Sequence, residues 1–371
     1  MFARVAARFG RVEPRRRARA YLLGLLAPLP RKTGWQLAEA AGESRPDGMQ
    51  RLLNGARWDA DRVRDDLRAY VVEHLGHPAG VLVVDEAGFV KKGARSAGVE
   101  RQILPGAEQA ENCQIGVFLA YATPVGQALI DRELYLPRSW AADPPRCAGA
   151  GVPAHTRYAA RPAQAAAMLS RAFDAGVPAR WVAAGEPYGP EPAFRAFLER
   201  RGVGYVVELS RRHTVALPNG PVRVATIAGQ APERAWKRVN TGAGSGRLKL
   251  ADWAMGELPG GGVHGRWLLI RRVSGEPDEF AFFLCSGPAD TEVGVLARVA
   301  ESVPAARDCL QRACDEAGLD RYQVRQYGAW YRHVTLALLA QAYVAVRIAQ
   351  GPPGRTTVAP GRRTSDILWR T

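Results

Sequence analysis

At 371 residues, 47% apolar and 23% charged, the chain has the length for two or three folded units and the apolar content for a sizeable core, which excludes a wholly disordered protein. A formal net charge of +15, carried mostly by arginine, favours a polyanionic partner over a basic one, although a high-GC genome also enriches arginine alongside alanine, glycine and proline. Five widely spaced cysteines (Cys113, Cys147, Cys285, Cys309, Cys314) without a CxxC, and the lack of any run of ~18 apolar residues, argue against a disulfide framework, a zinc module and a transmembrane helix.

The start has arginines at 4, 8 and 11 and no apolar stretch with a cleavage site, so no secretory signal is read and a cytoplasmic location is expected. Residues 1–76 predict an N-terminal helical domain. Arg15, Arg16 and Arg17 precede the apolar stretch Tyr21–Leu26, Asp47 opens a helix towards Leu53, and Asp59–Leu75 has apolar residues at 63, 67, 70 and 71. Short helices bearing arginines suit duplex DNA, and equally a helical cap with solvated arginines.

Residues 77–210 change character. Val81–Val84 is a continuous apolar run, the pattern of a strand buried on both faces, and Asp85 follows it. Ile115–Tyr121 and Ala128–Leu136 predict two more strands of an antiparallel meander. After a Pro-rich loop over 137–160 the chain alternates: helix Ala163–Ala175, strand Arg180–Ala184, helix Pro192–Arg200, strand Gly204–Leu209. Residues 211–290 read as a β-rich insertion, with strands at Val222–Ala228, Ala235–Val239, Leu248–Trp253, Arg266–Arg272 and Glu279–Leu284. Helices return over 291–350, at Thr291–Ala317 and Trp330–Ala349, and the Gly-, Pro- and Arg-rich tail 351–371 is expected to be disordered.

Several segments are distinctive. They are Val83-Val84-Asp85-Glu86-Ala87-Gly88-Phe89-Val90-Lys91-Lys92-Gly93, Glu111–Val117, Asp131-Arg132-Glu133-Leu134-Tyr135-Leu136-Pro137-Arg138-Ser139-Trp140, Gly318–Arg325 and Trp330–Leu336. In order and spacing they resemble the motifs of DDE-type insertion-sequence transposases of the insertion-sequence 701-like group. The resemblance runs from about residue 10 to 348. It implies an α/β (mixed α+β) fold with an RNase H-like core, a β-rich insertion and an N-terminal helical domain.

The resemblance also implies a chemistry to look for. DDE enzymes transfer phosphoryl groups with two Mg²⁺ ions, and three carboxylates hold them. Asp85 matches the first carboxylate. The second is usually the Asp of an ADE.YG segment, and here Ala184-Gly185-Glu186-Pro187-Tyr188-Gly189 puts Gly185 in its place. Glu186 cannot simply replace it, because neighbouring side chains on a strand point to opposite faces. The third is usually a helical Glu, and Arg307 stands there, with Asp308 one residue on. One helical step turns a side chain by ~100°, so Asp308 aims elsewhere. The triad is therefore read as degenerate. No metal is expected beyond what Asp85 alone could ligate, and Mg²⁺ is a cofactor only if the site still works. A guanidinium at 307 would repel a divalent ion and pair with Asp85.

Three functions fit. The first is a transposase-derived protein that binds double-stranded DNA without cutting it, nucleoid-associated and with room for a homodimer. Its phosphate contacts would come from Arg15, Arg16, Arg17, Lys91, Lys92, Arg211, Arg212, Arg332 and His333. The second is a repurposed enzyme acting on a small molecule in the vacated pocket, with Asp85, Glu86, Tyr188, Arg307, Asp308, Cys314 and His333 as participants. For His333 and Cys314 a scaffold or packing role is the plainer expectation. The third is an active transposase with displaced ligands, Glu186 and Asp308 or Glu316 joining Asp85.

Overall fold

A computed structural model describes residues 1–103, 109–242, 249–260, 264–272 and 279–351. Leu248 and the tail from 352, both named above, lie outside the described residues.

Five helices come first: α1 (Phe2–Val5), α2 (Val12–Leu26), α3 (Gly34–Ala40), α4 (Asp47–Asn54) and α5 (Ala60–Leu75). Asp59 caps α5, its carboxylate accepting from the backbone N–H groups of Asp61 and Arg62 at 2.8 and 3.2 Å. Their apolar faces, including Tyr21, Leu25, Met49, Leu52, Leu67 and Val71, are buried. Strands β1 (Val81–Val90), β2 (Glu100–Ile103), β3 (Ala110–Thr123) and β4 (Gly126–Leu134) follow. The Pro-rich stretch after them is not wholly irregular: it forms the short helices α6 (Arg138–Ala141) and α7 (Pro144–Gly149). The alternation is α8 (Arg161–Asp174), β5 (Trp181–Ala184), α9 (Pro192–Arg200) and β6 (Gly204–Leu209).

Among the described residues the main sheet is ten-stranded. Its half β4-β3-β1-β5-β6 has β1, β5 and β6 parallel and β1, β3 and β4 antiparallel, which is the RNase H-like core. Val81–Val84 is fully buried in β1, which is paired on both edges by β3 and β5 and packed by α11. β2 is a short, half-exposed strand pairing with the start of β3.

Downstream, β7 (Thr214–Leu217) and β8 (Gly220–Arg223) form a small hairpin. The strand expected over Val222–Ala228 is corrected. β8 stops at Arg223, and Val224–Gly229 is helix α10, whose buried Val224 and Ala228 lie four residues apart on one face. β9 (Trp236–Asn240), β10 (Leu250–Glu257), β11 (His264–Arg272) and β12 (Phe280–Pro288) make no sheet of their own. They extend the core sheet as β6-β12-β11-β10-β9, with β12 antiparallel to β6.

Helices α11 (Val293–Ala317) and α12 (Tyr327–Ala349) complete the chain. Leu296, Val299, Val303, Ala306, Leu310 and Ala313 lay a buried stripe along α11, which lies against β1, β3, β4, β5 and β6 and reaches β9, β10 and β11. Gly318 ends α11 at φ +64, a left-handed cap that suits glycine. α12 packs on β4 and receives α2, α4 and α5, so the N-terminal helices dock on the C-terminal one. No described helix is long and apolar enough to cross a membrane.

Candidate active site

Sheet register assembles the site. Val84 pairs with Ala184, and Ala184 with Val207, so Asp85, Gly185 and Glu208 follow one another across the ends of three parallel strands. α11 crosses this edge and brings Arg307. Its Nε lies 3.4 Å from Asp85 Oδ2, and its Nη2 donates to Glu208 Oε2 at 2.8 Å. Asp85 is buried at 6% exposure, and its Oδ1 accepts the backbone N–H of Glu86 at 2.9 Å. Burial pushes the Asp85 carboxyl up to about 6, against the opposing pull of Arg307.

Gly185 faces the centre of the cluster. A Cβ there would lie 3.3 Å from Arg307 Nη2, 3.8 Å from Asp85 Oδ1 and 3.9 Å from Glu208 Oε2. Position 185 thus looks straight at the other groups, and it carries no side chain. Two carboxylates bound to a guanidinium do not fit a pair of divalent ions. Each Mg²⁺ takes hard oxygen ligands, and the fixed cation already occupies the space the ions would need. Among the described residues no three His, Cys, Asp or Glu side chains converge as a metal site would require.

Glu208 is the residue the sequence reading missed. Its signal was a lone acid in the buried strand Gly204–Leu209, but only the parallel pairing of β5 with β6 places it beside Asp85. Of the predicted participants, the structure joins Asp85, Gly185 and Arg307. Asp308 and Glu186 are exposed and pair with neither Asp85 nor Arg307 among the described contacts.

Glu86 and Tyr188, grouped with Asp85 above, sit on the other face of β1. Tyr188 donates to Glu86 Oε2 at 3.3 Å, and Arg161 at the start of α8 pairs with Oε1. Burial raises the Glu86 carboxyl, with Arg161 opposing, and raises the Tyr188 hydroxyl well above its usual value. Strand alternation separates this cluster from Asp85.

The candidates on the C-terminal helices are also placed away from Asp85. His333 is fully buried in α12. Its Nε2 faces the Gly318 carbonyl at 3.1 Å, so that nitrogen carries the proton, and Nδ1 accepts from the Tyr21 hydroxyl at 2.8 Å. Burial lowers it to about 4, so it is a neutral strut between α2, α12 and the end of α11 and cannot meet phosphate. Arg332 is half-buried and donates to the Leu53 carbonyl at 2.8 Å, bracing α4. Burial pushes the Cys314 thiol up to about 12, which leaves it a poor nucleophile.

Arg15 and Arg16 are exposed, while Arg17 is held by Glu13 and Glu43. Lys92 is exposed and Lys91 half-buried. Arg211 and Arg212 are exposed, and they line a cleft with Glu186 and Glu208, the one member of the cluster that it shares.

Comparison with known proteins bears on this arrangement. The model of a family described as DDE superfamily endonuclease matches residues 4–253. The chain is also similar to a probable transposase for insertion sequence element IS701 from Microchaete diplosiphon, at 24% identity over 201 residues. That alignment covers 53% of this chain and 49% of the relative, so the chain spans about half the length of the curated relative it matches.

Proposed function

We propose, on the premise that this chain belongs to the DDE superfamily endonucleases, that it binds double-stranded DNA as a transposase relative and does not cut it. The observation that carries this reading is the Arg307 guanidinium, seated between Asp85 at 3.4 Å and Glu208 at 2.8 Å. A cation fixed there replaces what a divalent ion would supply as bound charge, and supplies none of its chemistry. It activates no water and polarises no phosphoryl oxygen by coordination. The DNA reading is supported by the similarity to a transposase, by the net charge of +15 and by exposed arginines on α2 and after β6.

The test is a supercoiled-plasmid nicking assay with Mg²⁺ or Mn²⁺, run beside a binding assay on a labelled duplex in EDTA. Salt-sensitive duplex binding without nicking is expected. Metal-dependent nicking that is lost on Asp85→Asn would overturn the inactive-nuclease reading. Failure to bind any duplex at low salt would overturn the DNA reading.

A further inference from the structure

The loop between α11 and α12 folds back over the far end of β1. The Tyr322 hydroxyl donates to Gln114 Oε1 at 2.9 Å and accepts from Trp330 Nε1 at 3.1 Å. The Ala97 N–H donates to the Arg325 carbonyl at 2.9 Å, which ties this loop to the one after β1. Between the two loops lies a cleft of about 730 Å³.

Its lining is strongly one-signed. Lys91, Lys92 and Arg95 enter from one loop, Arg321 and Arg325 from the other. Among the described lining residues Asp320 is the only acid, and it is engaged by Arg321 at 3.3 Å. Lys91 is held in place by the Tyr322 ring, its Nζ 3.5 Å from the ring centre. Lys92, Arg95 and Arg325 are exposed and form no ion pair among the described residues.

Elsewhere the fold answers its enclosed charges. The buried Asp131 has Arg64 and Arg171, and the buried Arg64 has Asp131 and Asp65. Here like charges converge on a concave surface without that compensation, and the repulsion is relieved only by an anion brought from outside. Asp85, Ala87 and Phe89 share one face of β1, and Phe89 meets the Tyr322 ring at 5.6 Å, so the cleft opens on the Asp85 side of the sheet. Six residues of strand separate Asp85 from Lys91, roughly 20 Å at ~3.3 Å each. That is about six base steps of a duplex at ~3.4 Å per step.

We propose that this cleft is a binding site for the phosphodiester backbone of duplex DNA, with Lys92, Arg95, Arg321 and Arg325 as its phosphate contacts. The assignment rests on the DNA-binding reading above. The spacing places it along one strand from the Asp85 edge, so a single duplex reaches both.

The test is fluorescence anisotropy of the full chain with a labelled 30-base-pair duplex over about 50–200 mM salt, without divalent ions. Lys92→Ala/Arg325→Ala removes two exposed cations. Arg200→Ala/Arg234→Ala removes the same charge from elsewhere on the exposed surface. Circular dichroism confirms that each variant is folded. Each phosphate contact contributes ~0.9 to the slope of log affinity against log salt, so the first variant should lose about 2 in slope and at least about tenfold in affinity, with the control pair close to wild type. If wild type binds and both variants lose equally, or neither loses, the cleft is not the site while the DNA reading stands. If wild type does not bind, the DNA reading itself fails and the cleft assignment with it. Sodium tripolyphosphate supplies the other source of the same chemistry. Tight tripolyphosphate binding by a protein that ignores the duplex, abolished by Lys92→Ala/Arg325→Ala, would reassign the cleft to small polyphosphates.

Discussion

Arg307 and Gly185 divide the work of filling one small space. The arginine brings a positive charge to two carboxylates, and the glycine leaves room for it. Reversing both changes the sign of the space. Gly185→Asp with Arg307→Glu puts four carboxylates around the point where the guanidinium now lies. The double variant should be less stable than wild type in EDTA, from like-charge repulsion, and should regain stability as Mn²⁺ is titrated, with a concentration-dependent rise in Tm. A melting temperature indifferent to Mn²⁺ would show that the strand ends cannot close around an ion.

His333 makes a second prediction at this scale. It is neutral in the fold, with its proton affinity lowered to about 4, and becomes an ordinary imidazole near 6.5 on unfolding. The unfolded chain therefore binds the extra proton below pH 6.5. Stability is full above that value and falls as pH drops towards 4, by about 3 kcal/mol in all at ~1.4 kcal/mol per unit. Urea titrations of wild type and His333→Gln between pH 7 and 4 should converge by about that amount, and curves that stay parallel would exclude His333 as the cause. The sequence favoured a scaffold role for His333 but did not show its partners, because a His in Trp330–Leu336 looks the same whether it meets phosphate or a carbonyl.

Among the elements, β4 shows how a motif can be legible while its purpose is not. Asp131-Arg132-Glu133 stood out as a signature, and the charges of Asp131 and Arg132 prove to be interior ones, with Glu133 half-buried beside them. Asp131 is fully buried, 3.1 Å from Arg64 of α5 and 2.9 Å from Arg171 of α8. Burial pushes its carboxyl up, but Arg64, Arg171 and Arg132 outweigh that and hold it below the usual range. Glu133 accepts from Tyr331 of α12 at 2.7 Å and pairs with Arg171. The strand is thereby fixed to helices on several sides. Asp131→Ala removes the carboxylate that Arg64, Arg171 and Arg132 share, leaving them Asp65, Glu133 and Asp61, and should cost about 2–4 kcal/mol in equilibrium unfolding. A loss under 1 kcal/mol would mean that water reaches the network.

Continuous apolar runs and helical periods were the easy elements. β6 and α9 fall on their expected bounds, and α11 and α12 within a few residues of theirs. β2 escaped because four half-exposed residues carry no burial pattern, and the stretch after Arg223 was misread because Val222 and Val224 alternate like a strand before the helical spacing begins. In the site, Asp85 was legible as a match to a motif, and Gly185 and Arg307 as departures from it. Glu208 was not, because its place depends on pairing between strands that the local sequence does not encode.

For the molecule as a whole, the continuity of the sheet matters most. β12 pairs with β6, and α11 packs on strands of both halves, so no layer separates the residues after 211 from those before. The described core should therefore unfold as one unit, with tryptophan fluorescence (Trp140 in one half, Trp253 and Trp267 in the other) and far-UV dichroism losing signal at the same denaturant concentration. Two resolved transitions would indicate that the β9–β12 half melts separately.

The same pairing has a consequence during synthesis. Leu209 finds its partner in Phe282, 73 residues further along (282 − 209). At ~5–20 residues per second the ribosome needs several seconds to deliver it. Until then β6 presents a bare line of amide and carbonyl groups, a template for any passing strand. The nascent chain is thus most exposed to misassembly in that interval, and truncation after residue 253 would make the interval permanent, because it removes β12, the partner of β6, along with β11 and α11, through which β9 and β10 join the core.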